Sequence, residues 1–224
     1  METIRIKIEG SDAVTGLLMN PAGAKACFVF AHGAGAGMSH SFMEAVATGL
    51  FGRGIATLRY QFPYMEKGAK RPDVPAVAQA AVRAAVAEAA RRLPGFPLVA
   101  GGKSFGGRMT SQAQAAAPLA GVSGLAFLGF PLHPAGKPSG QRAKHLAGVR
   151  IPMLFIQGTR DALADLPVLN HATASLGARA SLRIIEHADH SFHVLVRSGR
   201  NDGEVMREVL DALAAWIVAL PDKA

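Results

Sequence analysis

The sequence predicts an α/β protein with a mostly parallel central sheet of about seven or eight strands and helices on both faces. Three observations support this fold class. Short apolar runs alternate with longer amphipathic segments along nearly the whole chain, which is typical of strands joined by helices. Residues 26–31 are apolar throughout, as expected for a central parallel strand covered on both faces. Residues 73–93 repeat small apolar side chains every 3.6 residues, which predicts a helix packed on the sheet.

The expected elements begin with a hairpin at the edge of the sheet. Residues 4–8 alternate charged and apolar side chains and predict an edge strand, which pairs with residues 14–19 across Gly10-Ser11-Asp12. The later strands are expected at residues 26–31, 55–58, the run ending just before residue 104, 124–130, 153–157 and 181–185. The helices are expected to end near residues 51, 93, 117, 176 and 220.

The helix boundaries follow from capping residues and apolar stripes. Ser39 or Ser41 can cap the first helix, and Asp73 with Pro75 marks the start of the second. The last helix, from about residue 202, keeps one apolar stripe, formed by Val205, Leu210, Leu213, Ile217 and Leu220. No repeat, low-complexity tract or linker interrupts residues 1–224, so we expect a single domain.

The composition restricts the possible partners. With 24 Lys and Arg against 16 Asp and Glu, the formal charge is +8, but these cations are scattered and lack interleaved aromatic residues, so nucleic-acid binding is not expected. The start lacks the apolar block of a signal peptide, and no apolar run is long enough to span a membrane, so we expect a soluble cytoplasmic protein, either a monomer or a homodimer. The single Cys27 excludes a disulfide framework and a cysteine zinc site, and its apolar strand predicts a buried thiol.

The pattern Gly102-x-Ser104-x-Gly106 follows an apolar run and opens a small-residue helix, which is typical of a nucleophile elbow. The backbone at such a turn is strained and lies close to the neighbouring helix, so positions two residues before and after the Ser favour glycine. Gly102-Lys103-Ser104 also resembles the end of a phosphate-binding loop. That loop needs a glycine where this chain has Pro97, so the elbow is favoured, with Lys103 as its outward neighbour.

A second glycine-rich loop, His32-Gly33-Ala34-Gly35, follows the apolar strand at 26–31. It nearly matches a dinucleotide fingerprint, but Met38 stands where the third glycine belongs and no acidic residue closes the next strand. An oxyanion loop fits the elbow better, with the N–H of Ala34 facing the nucleophile. No cofactor is therefore expected.

An acid and a base follow the Ser in the order typical of elbow enzymes, Ser then Asp then His. Asp161 comes just after a predicted strand, with Asp165 as the alternative acid. The base is expected to be His190, with His187 and His193 as alternatives. The carboxyl ends of parallel strands meet at one edge of a sheet, so these groups should gather there. Three His residues spaced by three with no second cluster do not predict a metal site.

These motifs together resemble the α/β-hydrolase superfamily over nearly the whole chain, on four stretches: His32 to Gly35, Gly102 to Arg108, Gly158 to Asp161, and Ala188 to Phe192. The stretches Phe62 to Met65, Lys70 to Pro72 and Gly129 to Pro138 are similar to a compact, lidless branch. That branch is related to dienelactone hydrolase and includes a subunit of the NSL chromatin complex. The resemblance implies a Ser104–His190–Asp161 triad and an oxyanion hole from the N–H groups of Ala34 and Phe105.

The resemblance implies two possible functions. One is a serine hydrolase that cleaves a small ester or thioester, and the other is a catalytically inactive module used for binding or as a scaffold. The complete triad pattern favours the hydrolase. Dienelactone hydrolases use Cys as the nucleophile, so Ser104 implies a different substrate.

The expected substrate site is open, because residues 131–150 are too short to form a lid domain. Tyr64, in an irregular loop at 61–72, is an expected substrate contact together with His32 and His133. Four cations could select an anionic substrate, namely Arg59, Arg71, Lys103 and Lys137, although solvated surface charge is the favoured interpretation.

Overall fold

The computed structural model describes residues 1–221 and has an eight-stranded sheet within them, in the order β1-β2-β4-β3-β5-β6-β7-β8. Its strands are β1 (Glu2–Ile6), β2 (Val14–Met19), β3 (Ala26–Ala31), β4 (Ile55–Tyr60), β5 (Leu98–Lys103), β6 (Val122–Leu128), β7 (Met153–Gly158) and β8 (Ala180–Ile185). β1 and β2 form an antiparallel hairpin, and β2 also pairs antiparallel with β4. The other neighbouring strands, from β4 and β3 to β8, are parallel. The predicted single domain extends to residue 224, and residues 222–224 lie outside the described residues.

Helices cover both faces of this sheet, as predicted. They are α1 (Ser41–Phe51), α2 (Pro63–Glu66), α3 (Pro75–Arg92), α4 (Phe105–Ala116), α5 (Leu166–Ser175) and α6 (Asp202–Ala219), with 3₁₀ turns at Gln141–Gly148, Gly177–Arg179 and Val196–Ser198. α1 and α6 pack on one face, and α3, α4 and α5 pack on the other. β3 is buried along its whole length between the two layers. Burial raises the pKa of the Cys27 thiol on this strand to about 12.

Three elements differ from the sequence prediction. β1 pairs only as far as Ile6, because the chain then turns through Gly10 at a φ of 70°. β6 ends at Leu128 and not at residue 130, because Gly129 also takes a φ of 70° and turns the chain away. The loop at 61–72, predicted as irregular, contains the short helix α2.

The capping of two helices shows how local sequence sets their starts. α1 is capped by His40, whose Nδ1 accepts a hydrogen bond from the N–H of Phe42 at 3.2 Å, and not by Ser39 or Ser41. α6 begins with a capping box in which Asn201 and Glu204 each accept a hydrogen bond from the other's backbone N–H. Neither this helix nor any other within residues 1–221 combines the length and apolar character needed to cross a bilayer.

The N-terminal hairpin holds α2 through one carboxylate. Glu66 accepts hydrogen bonds from the backbone N–H and the hydroxyl of Thr15, at 2.9 and 2.8 Å, and forms an ion pair with Arg5. Interactions with Thr15 and Arg5 oppose the effect of partial burial and leave the pKa of Glu66 lowered. The hairpin therefore fixes the position of α2, which follows β4 at the carboxyl edge of the sheet.

Candidate active site

Ser104 stands at the turn between β5 and α4, as the elbow pattern predicts. Its φ of 50° and ψ of −113° lie outside the three main allowed regions, in a positive-φ conformation that a non-glycine residue rarely adopts. The turn is possible because the neighbouring backbones come very close. A Cβ added to Gly106 would lie 2.6 Å from the carbonyl oxygens of both Ala31 and His32. Glycine at 106 is therefore required by the packing of α4 against the end of β3.

The structure brings Ser104, His190 and Asp161 into one hydrogen-bonded chain. The Nε2 atom of His190 lies 2.9 Å from the Ser104 hydroxyl, and its Nδ1 lies 2.7 Å from Oδ2 of Asp161. Because an ionised carboxylate only accepts, Nδ1 carries the ring proton. The lone pair of Nε2 then faces the Ser104 hydroxyl, which is the arrangement a general base needs.

Asp161 is held in place by two further donors. Its side chain has no exposed surface, and the carboxylate accepts a hydrogen bond from the N–H of Leu163 at 2.8 Å and another from the Nε2 of Gln157. Gln157 in turn accepts from the N–H of Phe130 at 2.9 Å, which orients its amide. Sequence reasoning missed Gln157, although a buried glutamine in the apolar strand β7 is a visible signal.

The loop that carries His190 is shaped by Asp189. The side chain of Asp189 accepts hydrogen bonds from the N–H groups of Ser191 and His193, at 2.8 and 3.0 Å. The loop begins and ends with residues of positive φ, His187 at 64° and Phe192 at 63°. A bulky residue is uncommon in this conformation, so the tight turn around His190 is held by its surroundings.

The alternative acid and bases lie outside the hydrogen-bonded chain. Asp165 caps α5 by accepting from the N–H of Val168 at 3.1 Å. His187 is exposed, and its backbone N–H donates to the Thr159 hydroxyl. His193 pairs instead with Asp202 at 2.8 Å on the surface.

The glycine-rich loop after β3 is fixed by contacts from the end of β4 and from α2. The Tyr64 hydroxyl accepts from the N–H of Gly35 at 3.3 Å, and Gln61 accepts from the N–H of Met38 at 3.0 Å. Arg59, which is buried, donates to the carbonyl of Met38 at 3.1 Å. Ala34 is exposed on this loop and lines the cavity over Ser104.

Phe105 is the first residue of α4, where backbone N–H groups have no acceptor within the helix. Its ring packs edge-on against Phe62 at 5.3 Å between centroids, and Phe62 packs the same way against His32 at 4.9 Å. One aromatic side chain thus contacts both the glycine-rich loop and the start of α4. The two expected oxyanion donors, Ala34 and Phe105, belong to these two segments.

The structure places none of the three expected substrate contacts in the cavity lining, because His32, His133 and Tyr64 are all buried. His32 has no exposed surface; its Nδ1 lies 2.8 Å from the carbonyl of Gly33, and its Nε2 accepts from the N–H of Phe62 at 3.1 Å. Burial lowers the pKa of His32 to about 4. Its role is to hold the glycine-rich loop.

His133 is likewise committed to the backbone. Its Nδ1 lies 2.8 Å from the carbonyl of Pro134, and its Nε2 accepts from the N–H of Asp165 at 2.9 Å. Tyr64 uses its hydroxyl to hold Gly35. All three side chains form hydrogen bonds with backbone groups of the loops around the site.

A cavity of about 550 Å³ opens beside Ser104. Its walls are the glycine-rich loop, the start of α1, the elbow, the His190 loop and the start of α6. Apolar side chains form much of the surface, among them Phe42, Met43, Phe192 and Met206. Between Phe130 and β7 the chain forms only a short connection with the 3₁₀ turn at Gln141–Gly148, so within residues 1–221 no lid domain covers the site.

A second Ser–His pair lies between α4 and the 3₁₀ turn at Gln141–Gly148. The Ser111 hydroxyl is 2.8 Å from Nε2 of His145, and burial together with nearby Arg108 lowers the pKa of His145 to about 4. Ser111 is buried, and within residues 1–221 no carboxylate is hydrogen-bonded to His145. This pair joins two elements and lacks the acid of a triad.

In the part of the chain that the structure describes, residues 1–221, no three His, Cys, Asp or Glu side chains come close enough together to hold a metal ion.

Known structures share this architecture. A dienelactone hydrolase from Anabaena variabilis is 22% identical, with a TM-score of 0.78 over 98% of this chain and 97% of that one. XC6422 from Xanthomonas campestris, described as a serine hydrolase without a lid, is 20% identical, with a TM-score of 0.73 over 98% and 97%. Est1E from Butyrivibrio proteoclasticus, solved with ferulic acid bound, is 17% identical, with a TM-score of 0.72 over 94% and 99%.

The amino-acid sequence also matches a known protein family. Residues 24–218 match the family described as "Alpha/beta hydrolase domain". This match covers most of the chain, including the glycine-rich loop, the elbow and the segments of Asp161 and His190. The predicted α/β-hydrolase fold and its compact, lidless form are confirmed, and this protein belongs to the alpha/beta hydrolase domain family.

Proposed function

We propose that this protein is a serine hydrolase that cleaves a small carboxylic ester or thioester through an acyl-enzyme on Ser104. The observation that carries the proposal is the hydrogen-bonded chain from Ser104 through His190 to Asp161, at 2.9 and 2.7 Å. A Ser hydroxyl is a weak nucleophile until a base accepts its proton, and the base needs an acid to hold its tautomer. In this proposal His190 is the base and Asp161 is the acid.

In the first half of the reaction, the Ser104 oxygen attacks the carbonyl carbon while its proton moves to Nε2 of His190. The N–H groups of Ala34 and Phe105 stabilise the negative oxygen of the tetrahedral intermediate, each worth about 10²–10³ in rate. His190 then gives its proton to the leaving alcohol or thiol. In the second half, water attacks the acyl-enzyme with His190 again as base, which releases the acid and restores Ser104. The reaction needs no cofactor.

The relatives support the same chemistry without defining the substrate. XC6422 is described as a serine hydrolase without a lid, and Est1E was solved with ferulic acid, a carboxylic acid, bound. The open cavity of about 550 Å³ favours compact acyl groups over long lipid chains.

Labelling with a fluorophosphonate probe tests the proposal. We expect the folded wild-type protein to form a covalent adduct that maps by mass spectrometry to the peptide containing Ser104, and Ser104→Ala to remain unlabelled. Ser111→Ala is the matched control, because Ser111 is the other hydroxyl bonded to an imidazole, and it should label like wild type. A folded wild-type protein that does not label, or that labels elsewhere, would contradict the proposal and favour a catalytically inactive binding module.

A further inference from the structure

Lys103, the residue before Ser104, brings a cation into the wall of the catalytic cavity. Its ammonium group donates a hydrogen bond to the backbone carbonyl of His190. It also lies 5.6 Å from the ring centroid of Phe42 and 5.3 Å from that of Phe192, within the range of a cation–π interaction. All four residues line the cavity. The elbow pattern predicts Lys103 as an outward neighbour, and the structure turns its side chain inward instead.

The glycines around this side chain leave room for it. A Cβ added to Gly129 would lie 2.8 Å from Nζ of Lys103 and 3.3 Å from Nδ1 of His190. A Cβ added to Gly33 would lie 3.5 Å from Cγ of Lys103, which is an ordinary contact, so Gly129 is the position that must lack a side chain. The ammonium group therefore occupies a defined position beside the His190 imidazole, and a side chain at residue 129 would displace it.

The ammonium charge has no carboxylate partner in contact. Within residues 1–221, no carboxylate oxygen lies within 4 Å of Nζ of Lys103. Asp161 and Asp189 act on it only from a distance, and each already accepts hydrogen bonds from the His190 loop. Asp202 lines the cavity, but its carboxylate already accepts hydrogen bonds from His193 and from the N–H of Val194. Burial consequently lowers the pKa of Lys103 to about 8.

The other three candidate cations do not reach the cavity. Arg59 is buried and donates to the carbonyl of Met38. Arg71 and Lys137 are exposed and lie outside the cavity lining. Of the four cations considered from the sequence, Lys103 is the one beside the nucleophile.

We propose that the substrate's acyl group carries a carboxylate a few bonds from the scissile carbonyl, and that Lys103 binds it. This inference rests on the hydrolase function proposed above. An ammonium group has three N–H donors, and the His190 carbonyl uses one of them. Phe42 and Phe192 reduce the access of water to the charge, which strengthens its attraction for an anion. Ser104 opens into the same cavity, so the group bonded to its oxygen lies next to Lys103.

The substrate class is therefore half-esters of short dicarboxylic acids. Monomethyl succinate and monomethyl glutarate are suitable probes, and methyl succinamate and methyl glutaramate are their neutral counterparts, because an amide replaces the carboxylate at nearly equal size. Release of methanol gives kcat/KM for each. We expect wild type to prefer the acid over the amide by about 10- to 100-fold, the range of a hydrogen bond to a charged group.

The ratio of the two kcat/KM values is the readout, because Lys103 also holds the His190 loop and its loss can slow both substrates alike. In Lys103→Met the ratio should fall to about 1, the value for a site without charge selectivity. Lys137→Met removes an exposed cation outside the cavity and should keep the wild-type ratio. A second measurement uses wild type alone: succinate should slow fluorophosphonate labelling more than succinamide does.

A wild-type protein that prefers the amides, or a ratio that survives in Lys103→Met, would overturn the proposal. So would a protein that labels at Ser104 yet hydrolyses none of the four esters, and in that case the hydrolase function itself would stand. If the folded wild-type protein does not label at Ser104, the proposed hydrolase function itself is contradicted, and the inference about Lys103 falls with it.

Discussion

His32 predicts a loss of stability in acid that one substitution should remove. Its imidazole has no exposed surface and is held between the Gly33 carbonyl and the Phe62 N–H. Burial lowers its pKa from 6.5 to about 4. Below about pH 6.5 the unfolded chain therefore binds a proton that the folded protein excludes, and the free energy of unfolding falls as the pH drops.

The size of this effect follows from the pKa difference. Each unit of pKa is worth about 1.4 kcal/mol, so the loss between about pH 6.5 and pH 4 reaches roughly 3 kcal/mol. The loss ends near pH 4, where the folded protein also binds the proton. A change of this size is a large part of the stability of a single domain.

Urea unfolding of wild type and His32→Gln from about pH 7.5 to about pH 4.5 measures it. The Gln side chain can still accept from Phe62 but does not titrate. We expect His32→Gln to be less stable near neutral pH by about 1–3 kcal/mol, because the Gly33 carbonyl loses its donor. Its stability should then decline less steeply in acid than that of wild type.

The control is His171→Gln, which replaces an exposed imidazole on α5 and should keep the wild-type pH dependence. His145, the other imidazole whose pKa is lowered to about 4, is present in all three proteins, so its contribution cancels in the comparison. Equal acid slopes for wild type and His32→Gln would refute the reasoning, because they would mean that His32 takes up its proton in the folded protein as easily as in the unfolded chain.

Two further substitutions test residues that support the positions of Ser104 and Asp161. Gly106→Ala should lower the free energy of unfolding, measured in urea, by about 3 kcal/mol or more. Its Cβ would lie 2.6 Å from two backbone carbonyl oxygens that cannot move apart. The control Gly52→Ala should be tolerated, because the nearest atom to its Cβ is 3.7 Å away. Equal stability of the two variants would show that α4 can shift. Gln157→Leu should lower the free energy of unfolding by about 1–3 kcal/mol, because the Phe130 N–H loses its acceptor. It should also lower kcat for an ester with little change in KM, because Asp161 loses a donor. An unchanged kcat would mean that Leu163 and His190 hold Asp161 without help.

The positions of Ser104, Asp161 and His190 could be predicted because each depends on a short pattern after a strand. Parallel strands then bring their carboxyl ends together whatever the details of packing. The same rule explains why the fold class was accessible from the sequence. The order of the strands in the sheet places β5, β7 and β8 close enough for the three side chains to meet.

Side-chain direction could not be predicted in the same way. His32 and His133 follow strands as His190 does, yet their rings turn inward and bond to backbone groups, because loop conformation decides which way a ring points. The inward turn of Lys103 depends on space left by Gly129, which is distant in sequence. Such space is a property of the packed structure, and local periodicity carries no signal for it.

The N-terminal hairpin lies ahead of residues 24–218, the part that matches the family, and is nevertheless connected to the site. Thr15 and Arg5 hold Glu66 at the end of α2, and Tyr64 on the same helix holds Gly35 beside Ala34. A shortened chain that began at residue 24 would keep Ser104, Asp161 and His190 but lose the contacts through which the hairpin supports α2 and the glycine-rich loop. The segment that matches the family is therefore shorter than the structural unit that supports the candidate site.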